Sequence, residues 1–244
     1  MALLEIRNVR KSFGTLRALD GVDVDVEAGT FHGLIGPNGS GKSTLLKAVA
    51  GAWFADSGSI VFNGHDITRA TPYERARAGL SLKFQITAVL PELSVYDNVL
   101  LATQSDEKLM SLLLSRKRLA FDEEVTTLLE RFRLIDRADD LAGELSHGQQ
   151  QWLEIAMALA LKPKLLLLDE PTAGMSSEER RVTGELLEPI KSHCALIIVE
   201  HDLHFIRDIC DRLTVLDQGR VLDHGDVETI QRSAKVQQVY TTRV

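Results

Sequence analysis

A chain of 244 residues that is 44% apolar and 26% charged has the composition of a globular domain able to bury a sizeable core. Its 28 Lys and Arg against 35 Asp and Glu leave a net charge of −7, which repels phosphate backbones and argues against a nucleic-acid partner. No apolar run approaches the ~18 residues of a membrane span. The stretch from Met1 to Phe13 carries Glu5, Arg7, Arg10 and Lys11, so it does not read as a signal peptide. Cys194 and Cys210 lack CxxC or paired Cys/His spacing and read as reduced, buried thiols.

In chain order, residues 3–9 and 22–26 alternate apolar and polar as half-buried strands do. Ala28-Gly29 is a turn, and residues 30–35 fit a short buried strand. Residues 36–41 form a glycine-rich loop before a predicted helix over 42–50, closed by Gly51. Residues 58–63 predict a strand with Asn63-Gly64 as its hairpin turn. Helical spacing follows at 72–78, 95–101 and 121–132, with a Leu-rich stretch and the run Arg116-Lys117-Arg118 between the last two. Ser146 suits the N-cap of a helix over about 148–161, ended by Pro163. Four leucines at 165–168 predict a central buried strand, and 195–199 and 213–216 are two more apolar runs. The alternation of strand, loop and helix predicts an α/β fold with a mostly parallel sheet, with residues 86–142 as a helical insert.

Two segments carry chemistry. Gly36-Pro37-Asn38-Gly39-Ser40-Gly41-Lys42-Ser43 matches G-x-x-x-x-G-K-[ST], between a strand and a helix. Glycines allow backbone N–H groups to turn inward as an anion nest, and the helix points its positive end at the same place. Lys42 supplies a point charge for the β- and γ-phosphates, and Ser43 a hydroxyl for Mg²⁺. Asp169 and Glu170 end the leucine strand, where ligands of open α/β sheets bind. Asp169 is placed to hold Mg²⁺, and Glu170 to polarise the attacking water as general base.

Leu145-Ser146-His147-Gly148-Gln149 stands directly before a helix and ahead of that strand. It resembles the LSGGQ signature of the ABC ATPases, with His147 in place of a glycine. The resemblance runs from Phe13 to a turn at 220–225 and implies a P-loop NTPase (RecA-like) core, an N-terminal antiparallel β subdomain and an inserted helical subdomain. It makes residues 1–244 a single domain, with 1–85 and 143–244 as nucleotide-binding core. It implies ATP and Mg²⁺ as cofactors and a head-to-tail pair of ATPase protomers, identical or paralogous. In that pair Ser146, Gly148 and Gln149 face the phosphate loop of the other protomer. It further implies that Phe13 stacks on adenine, Thr44 joins Ser43 at the phosphates, Gln85 touches Mg²⁺ or the lytic water, and His201 switches at the γ-phosphate. The loop after Pro171, Ala173-Gly174-Met175-Ser176, lacks the carboxylate that the family commonly has at its last position.

Pro171-Thr172-Ala173-Gly174-Met175-Ser176 and Lys83-Phe84-Gln85 resemble the ATPases of branched-chain amino acid and urea importers. The resemblance then implies membrane-spanning permease subunits, a solute-binding protein and a peripheral position on the cytoplasmic face of the membrane. Exporter ATPases of lipid-like cargo share the same motifs. Soluble ABC ATPases of DNA repair or translation fit less well: the insert lacks sustained heptads, and the chain carries one ATPase unit.

Overall fold

The computed structural model describes residues 2–83, 89–104 and 118–242. Two sheets organise it. Strands β1 (Ala2–Phe13) and β2 (Leu16–Glu27) form an antiparallel hairpin across Gly14-Thr15, longer than the apolar alternation predicts. Strand β4 (Ser57–Phe62) pairs with β1 and continues into β5 (His65–Asp66). The turn between them is Asn63-Gly64, with φ of 50° and 78°. Positive φ at both central residues matches the right-handed twist of the strands, which is why this dipeptide turns a hairpin.

The second sheet has the order β10-β9-β3-β8-β7-β6. Strands β3 (Phe31–Ile35), β6 (Leu80–Lys83), β7 (Leu165–Asp169), β8 (Ala195–Val199) and β9 (Arg212–Asp217) run parallel to one another. Strand β10 (Arg220–Asp226) runs antiparallel on the β9 edge, so the stretch expected to be a turn at 220–225 is a strand; the turn itself is Gln218-Gly219. The leucine strand β7 is interior but second from the edge, with β6 outside it.

The leucines of β7 divide between two cores. Leu166 and Leu168 join Leu196, Ile198 and the helices of one face. Leu165 and Leu167 join Ile197, Val199 and the antiparallel sheet on the other. A strand that buries both faces needs apolar residues at every position, and that produces the run.

Helix α1 (Lys42–Ala50) follows the glycine-rich loop and stops at Gly51, whose φ is 81°. Its last carbonyls are satisfied by Arg75 of helix α2 (Pro72–Arg77): Nη1 donates to Ala48 O and Val49 O, each at 2.7 Å. Arg75 is 1% exposed, and burial lowers its pKa to about 10. A cation at a helix C-terminus is the favourable sign.

Helices α3 (Val95–Thr103) and α4 (Arg118–Arg131) pack against each other and against α5 (His147–Ala160). Ser146 caps α5 through a reciprocal pair with Gln149. Helices α6 (Ser177–Leu187), α7 (Leu203–Ile209), α8 (Val227–Arg232) and α9 (Ala234–Thr242) complete the chain. Among the described residues no helix is long and apolar enough to cross a membrane. Cys194 and Cys210 are buried free thiols.

Candidate active site

Three adjacent strands of the parallel sheet, β3, β8 and β7, end side by side and deliver the chemistry to one edge. Strand β3 feeds the loop 36–41. Its glycines at 36, 39 and 41 all have positive φ, at 147°, 76° and 108°. Gly36 and Gly41 are also required by space. A Cβ on Gly36 would lie 2.1 Å from Leu216 O, and one on Gly41 would lie 2.5 Å from Ala18 O. The loop is thus clamped against β9 and β2. Gly219 N–H donates to Ser40 O at 2.9 Å and ties it to the β9–β10 turn.

Lys42 is buried and folds over the loop, donating to Gly36 O at 2.8 Å and Pro37 O at 3.0 Å. Burial lowers its pKa, opposed by the charges of Glu170 and Asp169. Ser40 Oγ is buried without a hydrogen-bond partner, inside the loop between β3 and α1. A buried hydroxyl of this kind suits a polar ligand, because leaving it unpaired is unfavourable. Pro37, Asn38 and Gly39 form the outer part of the loop, and Thr44 is half-buried in the first turn of α1.

Asp169 is the last residue of β7 and is 4% exposed. Burial raises its pKa, while the Ser43 hydroxyl works against that rise. Ser43 Oγ lies 3.4 Å from Asp169 Oδ1. Two oxygens in adjacent positions on Mg²⁺ are about 3 Å apart, so this hard-oxygen pair fits one such ion. Among the described residues no group of three or more His, Cys, Asp or Glu forms a metal cage; Mg²⁺ needs none, since it keeps waters and substrate phosphates as ligands.

Glu170 has φ 51°, in the left-handed region. A non-glycine residue there is strained by about 1–3 kcal/mol, and such strain clusters at functional sites. The kink turns Glu170 toward His201, just past β8: His201 Nε2 is 3.1 Å from Glu170 Oε1. A carboxylate oxygen in this contact accepts, so Nε2 carries the proton. Beside them buried Glu200 accepts from Thr172 N and Oγ1, at 2.9 and 2.5 Å, and from His201 N at 3.0 Å. The sequence motifs do not single out Glu200; a carboxylate directly after an apolar strand is the signal that marks it.

Phe13 sits at the tip of the β1–β2 hairpin, 42% exposed. Trp53 meets it edge-on, with ring centroids 4.8 Å apart, a contact that sequence reasoning missed. Asp56 holds the same strand end, accepting from Lys11 Nζ at 2.9 Å and Ser12 N at 2.7 Å.

Ser146, Gly148 and Gln149 stand elsewhere, at the start of α5. Ser146 N–H donates to Gln149 Oε1 at 3.0 Å, and Gln149 N–H to Ser146 Oγ at 3.3 Å. Their capping bonds stay within α5, and none of the hydrogen bonds among the described residues carries them to residues 36–43 of their own chain. Ser176, where the family commonly has a carboxylate, caps α6 with Glu179. Gln85 lies outside the described residues, as do Arg116 and Lys117.

A family model described as ABC transporter matches residues 19–173. The chain is 35% identical to a probable branched-chain amino acid transport ATP-binding protein LivG of Archaeoglobus fulgidus, across 98% of this chain and 95% of that one. It is also 35% identical to the xylose/arabinose import ATP-binding protein XylG of Sulfolobus acidocaldarius, across 93% and 89%. Among solved structures, the ADP conformation of MJ1267, an ATP-binding cassette of an ABC transporter, superposes with a TM-score of 0.89 at 32% identity over 99% of both chains. A dimeric, post-hydrolysis ATP-binding cassette, MJ0796 bound to ADP and Pi, superposes at 0.79 with 25% identity, covering 92% of this chain and 98% of that one.

Proposed function

Because this chain belongs to the ABC transporter family of ATP-binding proteins and is an ATP hydrolase, we propose that it powers the import of a small polar solute through membrane-spanning permease subunits. Relatives named for branched-chain amino acid transport and for pentose import support that class. Branched-chain amino acids or urea remain the solutes that the motifs of the chain itself favour. A solute-binding protein would deliver the cargo, and the chain would work peripherally on the cytoplasmic face.

The observation that carries this reading is the separation of two half-sites within one chain. Residues 36–43, Asp169, Glu170 and His201 share one sheet edge, while Ser146 and Gly148 open from a different helix. A second protomer, head to tail, would complete each site. ATP would stack its adenine on Phe13 and place its phosphates on the backbone of 36–41, with Lys42, Ser43 and Thr44 at the first turn of α1. Ser43 and Asp169, with Gln85, would hold Mg²⁺, which supplies charge neutralisation to the phosphates when bound. Glu170 would accept the proton of the attacking water, its carboxylate held by His201. Ser146 Oγ and the N–H groups at the start of α5 would close on the γ-phosphate from the partner. Residues 86–142 would form the helical subdomain that passes the closure to the permease, with 1–85 and 143–244 as the core.

ATPase activity measured against protein concentration, for wild type and Ser146→Ala, tests the reading. The rate of the wild type should rise faster than linearly and collapse in the variant. A linear rate unaffected by Ser146→Ala would sink the composite site.

A further inference from the structure

His147 begins α5, and its ring lies on the loop that follows Glu170. Nε2 is 3.1 Å from Ala173 O. A carbonyl only accepts, so Nε2 carries a proton and donates it. Under the ring is Gly174, at φ 74°, where a Cβ would stand 3.2 Å from both Cδ2 and Nε2 of His147. The fit is therefore two-sided: hydrogen at position 174 leaves room for the imidazole, and the imidazole reaches the carbonyl.

The same loop is anchored at its other end in the catalytic cluster. Glu170 N–H donates to Val199 O at 2.9 Å, and Thr172 binds Glu200 through N and Oγ1. Beyond Gly174, Met175 O accepts from Arg180 Nε and Nη2, at 3.1 and 3.0 Å. Glu179, in the next helix, packs over the start of α5, where a Cβ on Gly148 would meet its Oε1 at 2.5 Å. Residues 170–176 are thus a short strap. One end carries Glu170, the middle is held at Ala173 by His147, next to Ser146, and the far end is held at Met175 and Ser176 by Arg180 and Glu179.

We infer that His147 is a positioning residue that ties Ser146 of one composite site to Glu170 of the other, through residues 170–176 of the same chain. Glycine, usual at this signature position, has no side chain with which to make the tie. Here the imidazole supplies a mechanical link in a loop whose last residue, Ser176, carries no charge. When Ser146 moves onto a phosphate held by the partner, the strap carries the displacement to Glu170, and the two sites respond together. This rests on the head-to-tail reading proposed above.

The test is the ATP dependence of steady-state hydrolysis by the full chain for wild type, His147→Gly, His147→Gln and Ser146→Ala. ATP binding is followed separately in a Glu170→Gln background that does not turn over. Wild type should be positively cooperative. His147→Gly should bring the Hill coefficient to about 1 and lower kcat several-fold while single-site ATP affinity holds. His147→Gln, whose amide N–H can reach the same carbonyl, should restore cooperativity. Unchanged cooperativity in His147→Gly, a hyperbolic wild-type curve, or equal failure of the Gly and Gln variants would each overturn the tie. If Ser146→Ala is also silent, the fault lies in the head-to-tail reading, and the tie falls with it.

Discussion

The imidazole of His201 donates from Nε2 to Oε1 of Glu170 across 3.1 Å, joining the ends of neighbouring parallel strands β8 and β7. Neither strand alone places a base: Glu170 needs its left-handed backbone, and His201 needs the loop that Glu200 holds. Glu170→Gln keeps the shape and removes the base. Turnover should fall by roughly 10²–10⁴, with ATP binding retained. Rapid-quench hydrolysis beside equilibrium nucleotide binding checks this, and fast hydrolysis would exclude Glu170 as the base.

Gly36 and Gly39 should respond differently to the same added methyl. At Gly36 a Cβ meets Leu216 O at 2.1 Å, so the phosphate loop or β9 must move. At Gly39 a Cβ has nothing within 4 Å, and only the left-handed φ opposes it, by about 1–2 kcal/mol. Gly36→Ala should melt well below wild type, whereas Gly39→Ala should melt close to it. Thermal melts of both variants without nucleotide read the contrast, and equal behaviour would refute the clamp.

Lys83, at the end of β6, and Glu154, in α5, form an ion pair of 3.1 Å with side chains only 3% and 4% exposed. Removing one partner strands a buried charge, so Lys83→Met should destabilise by about 3–5 kcal/mol. The double variant Lys83→Met/Glu154→Met should recover most of that loss. Urea denaturation of the three proteins decides it: a double variant no better than the single one would mean that the charges are not what matters.

His32, on β3 just before the phosphate loop, shares a 2.8 Å hydrogen bond with Thr214 and is 4% exposed. Burial lowers its pKa from 6.5 to about 4. The unfolded chain therefore takes up a proton below pH 6.5 that the folded chain refuses. Stability from this group is full above pH 6.5 and falls as pH drops toward 4, by about 3 kcal/mol at most. His32→Val/Thr214→Val removes both partners. Its melting temperature should fall less than that of wild type between pH 7 and pH 5, and parallel pH profiles would remove His32 as the cause.

What was legible in the sequence was carried by near neighbours. The glycine-rich loop, Gly51 at the end of α1, Ser146 at the start of α5 and the Asn63-Gly64 turn are each specified within a few residues, because caps and turns bond locally. The leucine run of β7 announced a strand buried on both faces. Strand β6 was not legible: it is four residues long, ends in a lysine, and is held by pairing with β7 and by Glu154 on a distant helix. Nor were helices α6 and α7, whose apolar positions are spaced among charged ones.

The candidate site divides in the same way. The residue types at 36–43, 169–170 and 201 could be recognised from motif and spacing alone. Their convergence depended on strand order, since β3, β8 and β7 are neighbours in the sheet and not in the chain. His147 shows the limit most clearly. Its departure from the family pattern was visible, but its bond to Ala173 exists only because packing lays the loop after β7 against the start of α5. Contacts between segments far apart in sequence are chosen by which topology buries the most apolar surface, and no local pattern of residues encodes that choice.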